Sequence, residues 1–228
     1  MRVKSRIALY LEIGTRRIFA GALDWPGWCR SGRDEESALE TLAEYTPRYA
    51  AAVSRARAGF TPPMVRAPFH VVERVKGNPT TDFGAPGVPP RYDAEPVKAA
   101  ELKRLATVLG ACWTTFDEIA KSRSRAKLST GPRGGGRSLA KIVAHVLEAE
   151  GAYLRGLGGK YRARDGTASE EMRAMRAAFL EMLEMRAAGE TPPMGRRTAP
   201  LWSPRYAVRR SAWHALDHAW EIEDRAGP

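Results

Sequence analysis

The sequence predicts an α+β protein in which a small α/β domain is followed by a four-helix bundle. Up to residue 62, short segments rich in β-branched and aromatic residues surround one amphipathic pattern, which is typical of strands packed on a helix. From residue 96 onwards, apolar residues recur at helical spacing through four long segments. A Pro/Gly-rich stretch with one alternating segment lies between them. We therefore expect domains at 1–62 and 96–228, joined by a linker with one strand at 63–95.

The first elements are predicted to be a hairpin and a helix. The segments "RIALYLEI" and "RIFAGALD" are separated by a turn that contains Gly-Thr, a pattern that favours two paired strands. A helix follows, with Leu39, Leu42 and Ala43 at helical spacing and a start at Asp34 or Ser37. In the linker, "PFHVVERV" alternates as a strand does.

Four amphipathic helices are predicted after residue 96. The first carries a continuous apolar stripe, and the second begins after "GPRGGGRS" and ends at a pair of glycines. The third begins with a capping box of Thr167 and Glu170 and ends at Gly189. The fourth has Ser203 as its N-cap and Pro204 as its first helical residue. Helices of this length predict a bundle.

Composition limits the classes of function. Hydrophobic residues make up 43% and charged residues 28% of the chain, which is close to the average for globular proteins. No run of about 18 apolar residues is present, and the N-terminus alternates instead of forming a signal sequence, so we expect a soluble, cytoplasmic protein with no membrane partner. The two cysteines, Cys29 and Cys112, are too few and too isolated for a disulfide framework or a cysteine zinc site.

The net charge of +11 raises the question of nucleic-acid binding. However, the basic residues are spread along the chain and mixed with Asp and Glu, and they are not interleaved with aromatics on which bases stack. We expect only weak, sequence-independent binding that fades with salt, and no specific nucleic-acid partner.

Two of the four histidines, His214 and His218, lie four residues apart on the fourth predicted helix. At this spacing their imidazoles project from one side of successive turns, close enough to share a metal ion. They also belong to a polar stripe opposite an apolar face, so a hydrated helix surface explains the pattern equally well. If the second and fourth helices are neighbours, His145 completes a three-histidine set. His70 is interpreted as a strand residue, with a fourth ligand or a proton carrier as the alternative.

Two segments resemble a known family. "SLAKIVAHVLEAEGAYL" and, farther along, "WHALDHAWEIEDR" are similar to the DinB/YfiT-like superfamily of four-helix bundles, and the resemblance covers about residues 96–228. The resemblance implies a divalent metal ion, zinc or nickel, bound by His145, His214 and His218. It also implies a small-molecule substrate, and either a transferase or isomerase that uses a low-molecular-weight thiol or a metal-dependent hydrolase. Such bundles commonly pair, which implies a homodimer.

Three acidic residues near these histidines have candidate roles if the chain is an enzyme. Glu148, on the helix of His145, is a candidate catalytic base. Asp217 and Glu221 are candidates for orienting the imidazoles by accepting their distal N–H groups.

The segment "GPRGGGRS", residues 131–138, matches the spacing of a phosphate-binding loop with arginine in place of lysine. The strand that should precede such a loop is missing from the pattern, so we do not expect a nucleotide hydrolase. The alternatives are a plain flexible loop and an anion site at the start of the second helix. The anion site would comprise Arg133, Gly134, Gly135, Gly136 and Arg137.

The N-terminal segment "FAGALDWPGWCRSGRDEESALETLAE" resembles the HicB-like fold, over about residues 7–57, and departs from its turn pattern at Trp28. The resemblance predicts a HicB-like α/β unit. One interpretation is a scaffold that covers the bundle or forms a dimer. The competing class of function is a non-catalytic interaction or regulatory protein in which this unit binds a partner.

Overall fold

A computed structural model describes residues 6–62, 69–130, 136–162, 165–192 and 200–226. The chain divides into two compact units, Met1–Glu95 and Pro96–Pro228. The first unit contains β1 (Ile7–Ile13), β2 (Ile18–Ala22), β3 (Cys29–Gly32), α1 (Glu35–Glu44), α2 (Thr46–Val53), β4 (Phe69–Lys76) and α3 (Pro79–Phe83). The second contains α4 (Ala99–Ser122), α5 (Leu139–Leu157), α6 (Ala168–Ala187) and α7 (Pro204–Ala226). The fold is therefore mixed, with a four-stranded sheet first and a helical region after it.

The strands of the first unit form one sheet in the order β3-β2-β1-β4. The predicted hairpin is present, because β1 and β2 are antiparallel with Ile13 opposite Ile18. The strand predicted in the linker is β4, which pairs in parallel with β1 and belongs to the same compact unit. The sequence analysis missed β3 and α3. Both are short, and a segment of four or five residues carries too little periodicity to be recognised.

The N-cap residue Asp34 and two buried side chains, Trp28 and Glu12, hold the elements of this unit together. Asp34 caps α1 by accepting a hydrogen bond from the Ser37 N–H, so the predicted start of this helix is confirmed. Trp28 is fully buried, stacks on Tyr49 of α2 and donates from its indole N–H to the carbonyl of Leu42. Glu12, buried on β1, accepts hydrogen bonds from Thr81 and from the backbone after α3. These contacts attach all three helices to the sheet.

The second unit consists of four long helices at the predicted places. Thr167 forms the predicted capping box with Glu170 at the start of α6. At the start of α7, Ser203 accepts a hydrogen bond from the Tyr206 N–H, as expected of an N-cap. Gly158 ends α5 in the left-handed region at φ 103°, a conformation that glycine adopts without a steric penalty. Local signals therefore determine where these helices begin and end.

Helix α7 lies at the centre of this unit, in contact with both α4 and α5, while α6 packs chiefly against α5. It is buried along most of its length, and its polar side chains are among the buried ones. Ser211, for example, accepts a hydrogen bond from the indole N–H of Trp113 on α4. Contact between α5 and α7 brings the helix of His145 beside the helix of His214 and His218. Among the described helices, none has the length and hydropathy that a membrane crossing requires.

Candidate metal centre

Three histidines from two helices come together in the second unit. His145 projects from α5, and His214 and His218 project from successive turns of α7. One nitrogen atom from each lies within 4.8 Å of the others. The Nε2 atoms of His145 and His214 are 3.2 Å apart, and the three rings meet nearly edge to face. The packing of two helices thus converts three separate residues into a compact group of nitrogen donors.

The environment of His145 and His214 favours the neutral form of their imidazoles. His214 is 6% exposed and His218 is 8% exposed, so the polar stripe of α7 is not a hydrated surface. Burial lowers the pKa of His214 well below its usual range, and the positive charges of its neighbours lower it further. Burial also lowers the pKa of the half-buried His145. Neutral imidazoles offer a nitrogen lone pair at neutral pH, which is the form that binds a metal ion.

Glu221 orients one of these rings. Its Oε2 lies 2.7 Å from Nδ1 of His218. The hydrogen bond to His218 lowers the pKa of Glu221 to about 2 despite partial burial. Because an ionised carboxylate only accepts, Nδ1–H of His218 must donate. Nε2 is therefore the nitrogen of His218 that remains for a ligand bond, as in the carboxylate–histidine pairs of metal sites.

Arg225 holds Glu221 in place, and sequence reasoning missed this role. The guanidinium is buried and donates to Oε1 of Glu221 at 2.6 Å. It also donates from Nε to the carbonyl of Ser129 at 2.8 Å and from Nη2 to the carbonyl of Arg137 at 2.8 Å. Arg225 therefore ties His218, through Glu221, to two points of the chain between α4 and α5. A basic residue in the last turn of a helix is common, so its spacing alone gives no such signal.

The three acidic residues predicted to act near the histidines differ in their exposure and in their interactions. Glu148 is exposed on α5, one turn beyond His145, and its negative charge acts on that imidazole. Asp217 is half-buried on α7, and its negative charge contributes to raising the pKa of Tyr153, which burial raises most. Among the three, Glu221 makes the direct hydrogen bond to an imidazole described above.

The candidate anion site is described only in part. Arg133, Gly134 and Gly135 lie outside the described residues. Gly136 and Arg137 are exposed just before α5, and the charge of Arg137 contributes to lowering the pKa of His145 and of His214. His70 is exposed on β4 of the first unit.

A second buried polar network lies deeper among the helices. Arg176 of α6 donates to both carboxylate oxygens of Glu150 on α5, from Nε at 3.1 Å to Oε2 and from Nη2 at 3.3 Å to Oε1. It also donates from Nη1 to Asp117 of α4 at 2.7 Å. Burial raises the pKa of Glu150 to about 7, although Arg176 opposes this rise. This network joins three helices one turn and a half beyond His145 on α5. The sequence analysis placed no role on any of its members.

The donor set fits a divalent ion of intermediate softness. Imidazole nitrogens suit zinc and nickel. Zinc–nitrogen bonds of about 2.0–2.1 Å place neighbouring tetrahedral ligand atoms roughly 3.3 Å apart, close to the 3.2 Å between His145 and His214. Nδ1 of His214 is buried and has no hydrogen-bond partner among the described residues. The three rings thus bring one nitrogen each within 4.8 Å, and their described hydrogen bonds are the 3.2 Å contact between His145 and His214 and the orienting bond of His218.

Comparison with known proteins agrees with this arrangement. The family model of the DinB superfamily matches residues 109–222, half of the chain. The match includes all three histidines and ends before Arg225. No curated protein and no solved structure matches the chain. The similarity of residues 7–57 to the HicB-like fold lies outside the match and stays a prediction. With the helix order and the histidine cluster, this match shows that the chain belongs to the DinB superfamily.

Proposed function

We propose that the chain binds one divalent metal ion, zinc or nickel, through His145, His214 and His218. The observation that carries this proposal is the convergence of three imidazole nitrogens within 4.8 Å. Burial supports it, because the rings of His214 and His218 are almost inaccessible and burial favours the neutral form of His214. Three protein ligands leave positions open for water or substrate, which is typical of catalytic sites, whereas structural zinc sites use four protein ligands.

We further propose that this centre acts on a small molecule, as a thiol-dependent transferase or as a hydrolase. The bound ion would supply Lewis acidity that lowers the pKa of a thiol or a water molecule. Glu221 keeps the imidazole of His218 oriented, and Arg225 keeps Glu221 ionised and in place. Glu148, exposed one turn from His145, is suited to accept a proton from an incoming nucleophile.

The proposal is tested by metal analysis followed by turnover. Protein purified without chelator is expected to contain about one zinc or nickel ion per chain. Low-molecular-weight thiols would then be offered with electrophilic acceptors, and esters and amides would be offered with water. Turnover that a chelator abolishes and the metal restores would support an enzyme. Absence of bound metal after addition of zinc and nickel would overturn the proposal, and binding without turnover would favour the non-catalytic class.

The hydrogen bond from His218 to Glu221 gives a quantitative test. Glu221→Gln removes the charge that fixes the ring, so we expect metal affinity to fall about 10- to 100-fold. The measurement is competition for zinc with a chromophoric chelator. Asp224→Asn is the matched control, since Asp224 is exposed on the same helix and the charge change is identical. Equal affinities in the two variants would show that Glu221 has no role in orienting the ligand.

A further inference from the structure

Arg210 occupies an unusual position on α7. It is half-buried, and its guanidinium carbon lies 4.7 Å from the ring centre of Trp213 and 5.5 Å from that of Tyr153. Such stacking on aromatic faces is favourable for a guanidinium, and it restrains the side chain. The Nη1 atom is buried, however, and meets no hydrogen-bond acceptor among the described residues. Arg210 is therefore held in place by two rings while part of its hydrogen-bonding capacity is unused.

Three buried arginines of the same unit, Arg176, Arg205 and Arg225, have carboxylate partners. Arg205, five residues earlier on α7, pairs with Glu101. Arg225 pairs with Glu221, and Arg176 pairs with Glu150. A buried donor without an acceptor costs free energy, so buried polar groups are normally satisfied. Nη1 of Arg210 has no such acceptor among the described residues, and an anionic ligand would supply one.

Arg210 lies next to the metal centre. It precedes His214 by four residues on the same helix, so both side chains project from one side at a separation of about 6 Å along the axis. Tyr153 links the two, because its ring contacts the guanidinium and also lies 5.6 Å from the imidazole of His214. The positive charge of Arg210 contributes to lowering the pKa of His214, in agreement with this proximity. A small molecule held at the histidines would thus be within reach of Arg210.

We propose that Arg210 binds a carboxylate group of the small molecule that the metal centre takes. The inference rests on the proposed function and narrows the substrate class to small molecules that carry a carboxylate in addition to the group that binds the metal. A planar guanidinium that stacks on aromatic rings can present its edge to a ligand, and a carboxylate matches that edge with two parallel hydrogen bonds.

The test compares two related thiols, of which only one carries a carboxylate. 3-Mercaptopropionate and its methyl ester both offer a thiolate to the zinc-loaded protein, and only the acid offers a carboxylate. Calorimetric titration is expected to show that the wild type prefers the acid about 10- to 100-fold. Arg210→Gln is expected to abolish this preference while the zinc content and the affinity for the ester stay unchanged. Arg210→Lys keeps the positive charge but cannot donate two parallel hydrogen bonds. This variant is expected to retain part of the preference for the acid. A preference that survives in Arg210→Gln would overturn the proposal.

A second measurement separates this proposal from the proposed function. In the metal-free protein, the side-chain Nε–H resonance of Arg210 is identified by its disappearance from the spectrum of Arg210→Lys. Propionate is expected to shift this resonance, and propionamide is not. Should the wild type bind no metal, the proposed function fails, and the propionate titration alone decides the carboxylate site. If propionate leaves this resonance unchanged, Arg210 does not bind a carboxylate and the proposal is rejected.

Discussion

Replacing His214 with alanine is expected to abolish stoichiometric metal binding. The substitution removes one of three ligands, and the loss of affinity should exceed the roughly 10- to 100-fold that removal of an orienting neighbour costs. His214 is the most informative position, because it is the most buried of the three histidines and its imidazole contacts both other rings. Thermal unfolding gives an independent measurement. A saturating metal at 100 times its dissociation constant stabilises the wild type by about 2.7 kcal/mol, whereas the variant should show no such gain.

Two further variants control this experiment. His70→Ala removes the exposed histidine of the first unit and should leave metal content unchanged. His214→Gln keeps more of the buried volume than alanine does, so it separates loss of the ligand from the cost of a cavity. If both substitutions at His214 retain one tightly bound zinc ion, the three histidines do not form the site.

Replacing Arg176 with methionine is expected to cost about 3–5 kcal/mol of stability, since it leaves the buried Glu150 without a compensating charge. Methionine fills similar space and stays apolar, so most of the loss should come from Glu150. Chemical denaturation of the metal-free protein measures this loss. Asp117→Asn is the matched control, because Asp117 touches the same guanidinium but its side chain is 51% exposed. Its loss should cost less than about 1 kcal/mol.

The stability lost in Arg176→Met should depend on pH. Burial raises the pKa of Glu150 to about 7 in the folded wild type, above the ordinary value of 4.5, and loss of Arg176 raises it further. Above pH 7, the folded variant keeps a proton on Glu150 that the folded wild type has released, so the stability of the variant falls further behind that of the wild type as pH rises. The deficit relative to the wild type should be largest above pH 7 and smaller near pH 5. The double variant Glu150→Gln, Arg176→Met should lose this dependence. A deficit that does not change with pH would mean that packing, not the charge of Glu150, causes it.

Local sequence signals were sufficient for the helices of the second unit and for the choice of histidines. The caps at Thr167 and Ser203 are set by side chains within one turn, so they can be recognised without the rest of the fold. His214 and His218 share a helix side because the helix repeats every 3.6 residues. Including His145 required the added assumption that α5 and α7 are neighbours, and the contact between those helices supports it.

Burial and the polar partners were decided by tertiary structure. On sequence alone, the polar stripe of α7 was compatible with a hydrated surface. Periodicity indicates that a helix has a polar and an apolar face, but it does not show which of them is covered by other helices. The packing of α5 against α7 turned the stripe inward and made His214 and His218 nearly inaccessible. Arg225, Arg176 and Arg210 gained their roles in the same way, from acceptors or aromatic rings on other helices or loops. Contacts between residues 26 to 96 positions apart leave no periodic trace in a sequence, since they depend on how whole helices pack and not on the spacing within any one of them.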